Sequence, residues 1–598
     1  MKKFSFLFLT FILSASLLAQ KNWLNSEISP EDIKAHLFYL ASDEMKGRFS
    51  GTKEEKKAGN YIKEQFSTYG LKPLFKNSYF QEFQFIEKIE LTKNNNVTIK
   101  IKNKEIKLIP KKDFITAPFS GKAKKESNLV FAGYGISAPK LNYNDYEGLD
   151  VKNKIVLIMR GHPEHDSSQS EFDNYSSLRY KALTAKENGA IGVIFVNGIL
   201  SEKEDNFIKL QYDGAPAIKD FPVIQIKRDI INNILEREGF EFQKIQEQID
   251  KQKIPNSFEL SNIKISLSTE IKEIENTARN VAGYLEGNDS LLKNEYIVIG
   301  AHYDHLGIDQ LLSSSLYKGK DKQIHNGADD NASGTSGLLE LAEKFCSQKE
   351  HLKRSIIFIA FSGEELGILG STYFTNNLPI PKENIIAMLN MDMIGRLDSI
   401  KKLTIIGAGT SSIWKELLKK YNKYGFELSL SDAGSGGSDH QAFLNKNIPV
   451  LFFFTGIHSD YHKPSDDPDK INYEGEAEIL KFVFDIANEI QSSEIKPDFV
   501  KVEQLNRNTA RSRVTVGTIP EFGYNGEGYK ISGVTEGGPA EKAGLKGGDI
   551  IIKFGSKKIN NIYDFMYALS SYKAGDIVEI TVLRDGNELM FNVELIEK

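Results

Sequence analysis

The chain has 598 residues, 40% of them hydrophobic and 26% charged, with a formal net charge of −5. That length is too great for one hydrophobic core and implies roughly three to five domains. The small net charge and the lack of a long basic run argue against a nucleic-acid partner. A single cysteine, Cys346, rules out an intrachain disulfide and reads as a small core residue.

In chain order, Met1-Lys2-Lys3, a mostly apolar run from Phe4 to Leu18 and then Ala19-Gln20 have the layout of a signal peptide over 1–19. The expectation is an exported protein, periplasmic or extracellular. The run is short for a bilayer span, which needs about 20 residues, so an uncleaved anchor is the lesser alternative. No cysteine lies near Ala19 to carry a lipid, and no other stretch suits a membrane span. Ser29-Pro-Glu-Asp begins a helix with a capping Ser and Pro in the first turn. Met45-Lys-Gly-Arg-Phe-Ser-Gly-Thr52 is a glycine-punctuated loop, and a second helical pattern runs from Glu54 to Tyr69 and stops at Gly70. Residues 78–115 alternate as β segments. Short strands follow at 129–135, 154–159, 190–196 and 221–226, with a helix over 177–188. This stretch has no cluster of metal-ligand residues, and His162 and His165 read as solvated loop residues. Gly133-Tyr-Gly-Ile136, Asp150-Val-Lys-Asn-Lys-Ile-Val156 and Ala185-Lys-Glu-Asn-Gly-Ala190 resemble a protease-associated domain. Such domains shape access to a protease site and do no chemistry themselves.

From about 275 to 494 the pattern is α/β. Ile356 to Phe361 is a buried strand that breaks at Ser362-Gly363 and delivers Glu364 and Glu365. Adjacent carboxylates are costly to desolvate unless positive charge sits beside them, and open α/β sheets keep their ligands at such strand ends. Other strands bring further ligand types to the same kind of position. Residues 295–301 end in His302-Tyr303-Asp304, 385–391 end in Asp392, and 449–454 lead to His458 and His462. The turn Asn326 to Gly334 carries Asp329 and Asp330 into a helix over about 335–348. A final helix runs from Glu474 to Glu489, and Ser492 to Arg511 reads as a linker. In the last hundred residues, Gly538-Pro-Ala-x-x-Ala-Gly-Leu-x-x-Gly-Asp-x-Ile551 looks like a bacterial-type PDZ domain, with a helix expected over 562–571. Such a domain can take an extended peptide C-terminus by strand addition, and Gly526-Glu-Gly-Tyr529 is the candidate carboxylate loop. A docked domain without a ligand of its own is the alternative.

His302, Asp330, Glu365, Asp392 and His462 are the candidate metal ligands. Their formal charge of −3 favours two divalent ions with a bridging hydroxide over a single ion, and two-ion sites of this kind serve hydrolases. Nitrogen and oxygen donors without thiolate suit Zn2+, with Mn2+ or Co2+ possible. Asp304 is placed to receive the other ring N–H of His302. With Glu365 on a metal, Glu364 is free to act as general base toward a metal-bridging water. Asp329 in place of Asp330 and His458 in place of His462 remain open. His305 and His440 are extra imidazoles near the motifs. Ser438-Asp-His440 reads as pocket lining or structure, because triad members are not sequence neighbours. His36, His325 and His351 carry no assignment.

The motifs Gly300-Ala-His-Tyr-Asp-His-Leu-Gly307, Gly327-Ala-Asp-Asp-Asn-Ala-Ser-Gly334, Ser362-Gly-Glu-Glu-Leu-Gly367, Asn390-Met-Asp-Met393 and Asp460-Tyr-His-Lys-Pro464 resemble the co-catalytic di-zinc exopeptidases, the secreted bacterial leucine-type aminopeptidases. The resemblance covers roughly 30–115 and 265–495. It implies a central mixed, mostly parallel sheet with helices on both faces, interrupted by a β-rich α/β protease-associated insert and followed by a small PDZ-like β domain. The implied boundaries are 20–115 and 266–494 for the peptidase domain, 116–265 for the insert, 495–511 for the linker and 512–598 for the PDZ-like domain. It also implies that Asp330 bridges two zinc ions, with Glu365 and His462 at one and His302 and Asp392 at the other. Glu364 is then the base, and Tyr461 a support for the oxyanion. The substrates implied are peptides with a free N-terminus. A carboxypeptidase or glutaminyl cyclase of the same fold is the alternative, although a carboxypeptidase calls for clustered arginines and only Arg396 and Arg507 lie between 355 and 510. A non-catalytic binding protein on this scaffold is the third reading, and it would be expected to lack ligands that this chain has.

Overall fold

The computed structural model describes residues 24–597 except 103, 166–169, 213–214, 309–313, 318, 320, 435, 495, 503–513, 521–526, 536, 560–564, 566–567 and 570–571. The leader at 1–19, Gly526 and most of the helix expected over 562–571 thus lie outside the described residues. Two units are present. The first comprises mainly residues up to Phe85 and from Thr277 through the α/β region, and the second Ile86–Asn276 with the C-terminal residues from Glu527.

In the first unit, local chemistry sets the helix ends. Helix α1 (Pro30–Leu40) begins at Ser29, whose hydroxyl accepts the Asp32 N–H at 3.1 Å. Helix α2 (Lys53–Tyr69) is capped by Thr52, which accepts from the Glu55 N–H at 3.2 Å, and stops at Gly70 with φ +89°. The remaining helices are α3 (Gly334–Ser347), α4 (Leu369–Asn376), α5 (Trp414–Tyr421), α6 (His440–Leu444) and α7 (Tyr473–Ser492). The strands in chain order are β1 (Lys72–Pro73), β2 (Phe80–Leu91), β3 (Ile271–Leu285), β4 (Tyr296–His302), β5 (Ser355–Phe361), β6 (Ile385–Met391), β7 (Lys402–Ile406), β8 (Glu427–Ser431) and β9 (Val450–Phe454).

Across the sheet the order is β1-β3-β5-β4-β6-β9-β7-β8, with β2 also on β3. Parallel pairing joins β5 to β4, β4 to β6 and β6 to β9, so these four strands end at one edge. The antiparallel pairs β3–β5 and β7–β9 make the sheet mixed. Side chains on β4 and β5 alternate between two cores. Ile297, Ile299, Ile356 and Phe358 pack with α1, α2, α3, α5 and α7, whereas Val298, Ile357 and Ile359 pack with Phe374 of α4 and Phe443 of α6. That three-layer arrangement explains why both strands are apolar throughout. Cys346 is buried in the first of these cores.

The second unit holds an eight-stranded sheet in the order 104–108, 96–101, 257–269, 123–132, 155–159, 192–196, 223–226, 114–116. Residues 96–116 therefore supply strands to the sheet of the insert, although the sequence reading groups those up to 115 with the peptidase domain. Asn96–Ile101 pairs antiparallel with Ser257–Thr269, and Phe114–Thr116 with Val223–Ile226. Two helices without a counterpart in the sequence reading, Arg228–Arg237 and Phe242–Gln252, cover this sheet through Ile231, Leu235, Phe242 and Ile249. The expectation of solvated imidazoles is corrected here. His162 is buried with Nε2 3.0 Å from Asp173 and its ring stacked on Phe172, and His165 Nδ1 lies 3.2 Å from Asp250. A separate antiparallel sheet runs 518–520, 529–534, 550–554, 577–584, 587–594, with a short helix at Pro539–Ala543 that ends at Gly544, φ +95°.

Phe358 has no exposed surface and lies mid-strand in β5. Phe358→Ala is expected to cost about 3–5 kcal/mol, measured by urea unfolding; a loss under about 1 kcal/mol would place the residue outside a packed core.

Candidate metal centre

The aligned ends of β4, β5, β6 and β9 bring the sequence-selected ligands together. His302 is the last residue of β4, and Asp392 follows β6 directly. After β5, Ser362 and Gly363 (φ +76°) turn the chain so that Glu364 and Glu365 follow at the sheet edge. Asp330 lies in the turn that opens α3, and His462 in the loop after β9. His302 Nε2 is 3.4 Å from Asp330 Oδ1 and 3.3 Å from Asp392 Oδ1. His462 Nε2 is 3.2 Å from Asp330 Oδ2 and 3.4 Å from Glu365 Oε2. The two oxygens of Asp330 thus face different imidazoles.

These spacings fit cations. Four donors at about 2.0–2.1 Å from a tetrahedral ion stand about 3.3–3.4 Å apart, which matches all four contacts. Charged hydrogen bonds between imidazole and carboxylate would be shorter, about 2.7–2.9 Å. Moreover, His302 Nε2 and Asp392 Oδ1 are buried without a hydrogen-bond partner, a condition that buried polar atoms seldom tolerate. Burial disfavours the charged form of His302, yet Asp392 and Glu364 outweigh it and hold its pKa well above the usual imidazole range. Burial likewise opposes protonation of His462, but Asp330 and Glu365 raise it to about 9. The carboxylates therefore draw positive charge into the cluster, which a divalent ion would supply.

Glu364 sits just outside this set. Its Oε2 is 4.0 Å from His302 Nε2, and its N–H donates to Asp304 Oδ1 at 3.2 Å. Burial first, then Glu365 and Asp392, push its carboxyl well above the ordinary range. Tyr461 stacks on the His462 ring at 3.8 Å and joins an apolar group with Met393, Ile406, Phe452, Phe454 and Ile457.

The structure corrects the expected contact of Asp304. His302 Nδ1 lies 3.1 Å from the Asp304 main-chain oxygen and 3.7 Å from its carboxylate. The carboxylate instead accepts from Ser50 Oγ at 2.7 Å and from the Glu364 N–H, so it fixes neighbouring loops. The open alternatives separate as well. Asp329 accepts the Gly395 N–H at 2.7 Å and pairs with His458 at 3.1 Å, so these two residues partner each other. Ser438 Oγ donates to Asp392 Oδ2 at 2.8 Å, and His440 stacks on Phe452 at 4.6 Å, which makes both part of the pocket wall and support.

Two groups take a part that the sequence reading does not give them: His305 stands there only as an extra imidazole, and Asp466 is not named. His305 is fully buried with Nδ1 2.7 Å from Glu365 Oε1, and it forms a possible metal-holding group with Asp330 and Glu365. Gly327 gives its ring room, since a Cβ there would lie 2.4 Å from His305 Cδ2. The signal for His305 was its place three residues after His302. Asp466 is the other: its Oδ2 accepts the N–H groups of Asp329 and Asp330 at 2.9 and 3.1 Å, and its Oδ1 takes Arg396 at 3.1 Å. Asp466→Ala would leave the Asp329 and Asp330 N–H donors unpaired and remove one of the two carboxylates on Arg396. The expected cost is about 3 kcal/mol or more, read from urea unfolding of metal-free protein; an unchanged midpoint would contradict this role.

Three stretches of the chain match known protein families. Residues 280–487 match Peptidase family M28, 125–234 the PA domain and 500–595 the PDZ domain. Aminopeptidase YwaD of Bacillus subtilis (strain 168) is 25% identical over 406 residues, covering 65% of this chain and 73% of the relative. Leupeptin-inactivating enzyme 1 of Streptomyces exfoliatus is 33% identical over 145 residues, 24% of this chain and 32% of the relative. Among solved structures, the aminopeptidase from Aneurinibacillus sp. strain AM-1 aligns over 81% of this chain and 98% of its own, at 22% identity and TM-score 0.46. The zinc aminopeptidase BSAP from Bacillus subtilis aligns over 79% and 97%, at 23% identity and TM-score 0.42.

Proposed function

We propose, for a chain whose residues 280–487 match peptidase family M28, an exported zinc aminopeptidase that removes N-terminal residues from peptides. The observation that carries this reading is the convergence of His302, Asp330, Glu365, Asp392 and His462, with each oxygen of Asp330 turned to a different imidazole. Asp330 would be shared by two ions, with His302 and Asp392 holding one and Glu365 and His462 the other. Zinc suits the nitrogen and oxygen donors, and manganese or cobalt can replace it. Bound there, the ions supply Lewis acidity and make a water acidic near neutral pH.

Glu364 lies beside the ligands without being one of them, so its carboxylate can take a proton from the attacking water and hand it to the leaving amine. Its N–H bond to Asp304 holds it beside this set. Tyr461, stacked on His462, is the candidate donor to the developing oxyanion. The apolar group of Met393, Ile406, Phe452, Phe454 and Ile457 supports an apolar side chain at the cleaved residue. Arg396 is paired with Asp460 and Asp466, which argues against its serving a C-terminal carboxylate. The leader-like sequence at 1–19 supports export, and no helix among the described residues is long and apolar enough to cross a membrane. The PDZ domain would take a peptide C-terminus by strand addition.

Hydrolysis of amino-acyl anilides should depend on a free amine, stop with chelator and return with zinc. Cleavage of N-acetylated analogues, or activity indifferent to chelator, would contradict the reading. Glu364→Gln is expected to keep its metals and lose about 10²–10⁴-fold in kcat; a variant with wild-type turnover would show that the base lies elsewhere.

A further inference from the structure

The segment Met45–Thr52 contributes none of the proposed ligands, yet it holds the loops that do. Gly47 adopts φ +69°, and a Cβ there would lie 2.3 Å from the His325 carbonyl oxygen and 2.9 Å from Gly307, so only glycine fits this approach. The Gly307 N–H donates to the Gly47 oxygen at 3.2 Å, and the His305 N–H to the Arg48 oxygen at 3.4 Å. Ser50 Oγ donates to Asp304 Oδ2 at 2.7 Å.

Arg48 is the centre of these contacts and is wholly buried. Its Nε donates to the Tyr303 oxygen at 2.9 Å. Its Nη1 donates to the Leu40 and Asn326 oxygens at 2.5 and 2.8 Å, and its Nη2 to the Gly327 oxygen at 3.0 Å. One guanidinium thus joins the end of α1, the loop after His302 and the loop that leads to Asp330. Each of these acceptors is a neutral carbonyl, so the bonds leave its charge to act on the acids around it, of which Asp304, Asp330, Asp466 and Glu365 are felt. Burial lowers its pKa to about 10, which leaves it charged at neutral pH.

We propose that Gly47–Ser50 is a clamp for the metal centre, in which Arg48 is a positioning residue that fixes His302 against Asp330 through the main chain of the loops that carry them. The inference rests on the two-ion reading above. Lysine cannot replace this arginine. A planar fork with five N–H groups reaches three loops at once, whereas an ammonium offers three donors from a single point. The physical effect is on metal affinity, because the clamp holds the ligands at their spacing before any ion arrives.

The test is zinc binding by the full chain, measured by competition with a chelator at graded free zinc, for wild type, Arg48→Lys and Ser50→Ala. Far-UV circular dichroism and elution volume report folding. Folded Arg48→Lys should bind zinc about 10–100-fold more weakly. Ser50→Ala, which loses the bond to Asp304 and the one it accepts from Ser362 Oγ at 3.4 Å, should shift the same way by at least about threefold, and it decides the matter if Arg48→Lys does not fold. Folded variants with wild-type zinc affinity would overturn the clamp and leave the metal reading intact. A wild-type chain that takes up no zinc would overturn both.

Discussion

The architecture of the site is governed by the repulsion among carboxylates buried at one sheet edge. Asp304, Asp329, Asp330, Asp392, Asp439 and Asp466 are all buried, and Glu364 and Glu365 adjoin them. Removing such groups from water costs several kcal/mol each unless charge and hydrogen bonds answer them. The fold answers in graded ways. Main-chain N–H groups bind Asp466 and Asp329, Ser438 binds Asp392, and His458 pairs with Asp329. Buried polar atoms without a hydrogen-bond partner remain on several groups here, among them His302 Nε2, Asp392 Oδ1 and both oxygens of Asp439. Of these, His302 and Asp392 belong to a group that with Asp330 could hold a metal ion.

Adjacent residues acquire different tasks from geometry alone. Glu364 and Glu365 are covalent neighbours, but the Gly363 turn places Glu365 against His305 and His462, while Asp304 holds the main chain of Glu364 at the border of the set. The Asp329–Asp330 pair divides in the same manner: one faces Gly395 and His458, the other His302 and His462. In both pairs the side chains are chemically alike, and the differing partners come from separate strand ends.

Much of this was legible in the sequence. Apolar runs too short for helices, each ended by a His, Asp or Glu, identify β4, β5 and β6, and parallel pairing then makes their ends converge. The capping Ser29 gave the first N-terminal helix and the stop at Gly70 the end of the second, whereas the Thr52 cap emerges only in the structure. Other features depend on contacts that sequence proximity cannot report. Arg48 meets Tyr303 across 255 positions, and nothing local to Met45–Thr52 announces it. The Asp304 contact differs because the main-chain oxygen lies closer to the imidazole than the carboxylate does. The long strands at 257–269 and 271–285 mix exposed and buried positions, so their pattern is weaker than the continuous apolar runs of the central sheet. His162 appears polar and loop-bound in sequence, yet Asp173 and Phe172 give it a buried partner and a stacking surface.

The central claim is that Asp330 stands between two cations at this edge. Anomalous diffraction at the zinc edge from crystals of the full chain tests it most directly. The account predicts two peaks about 3.5–4 Å apart, one among His302, Asp330 and Asp392 and one among Asp330, Glu365 and His462. A single peak, or a pair with Asp330 bound to only one of them, would contradict it.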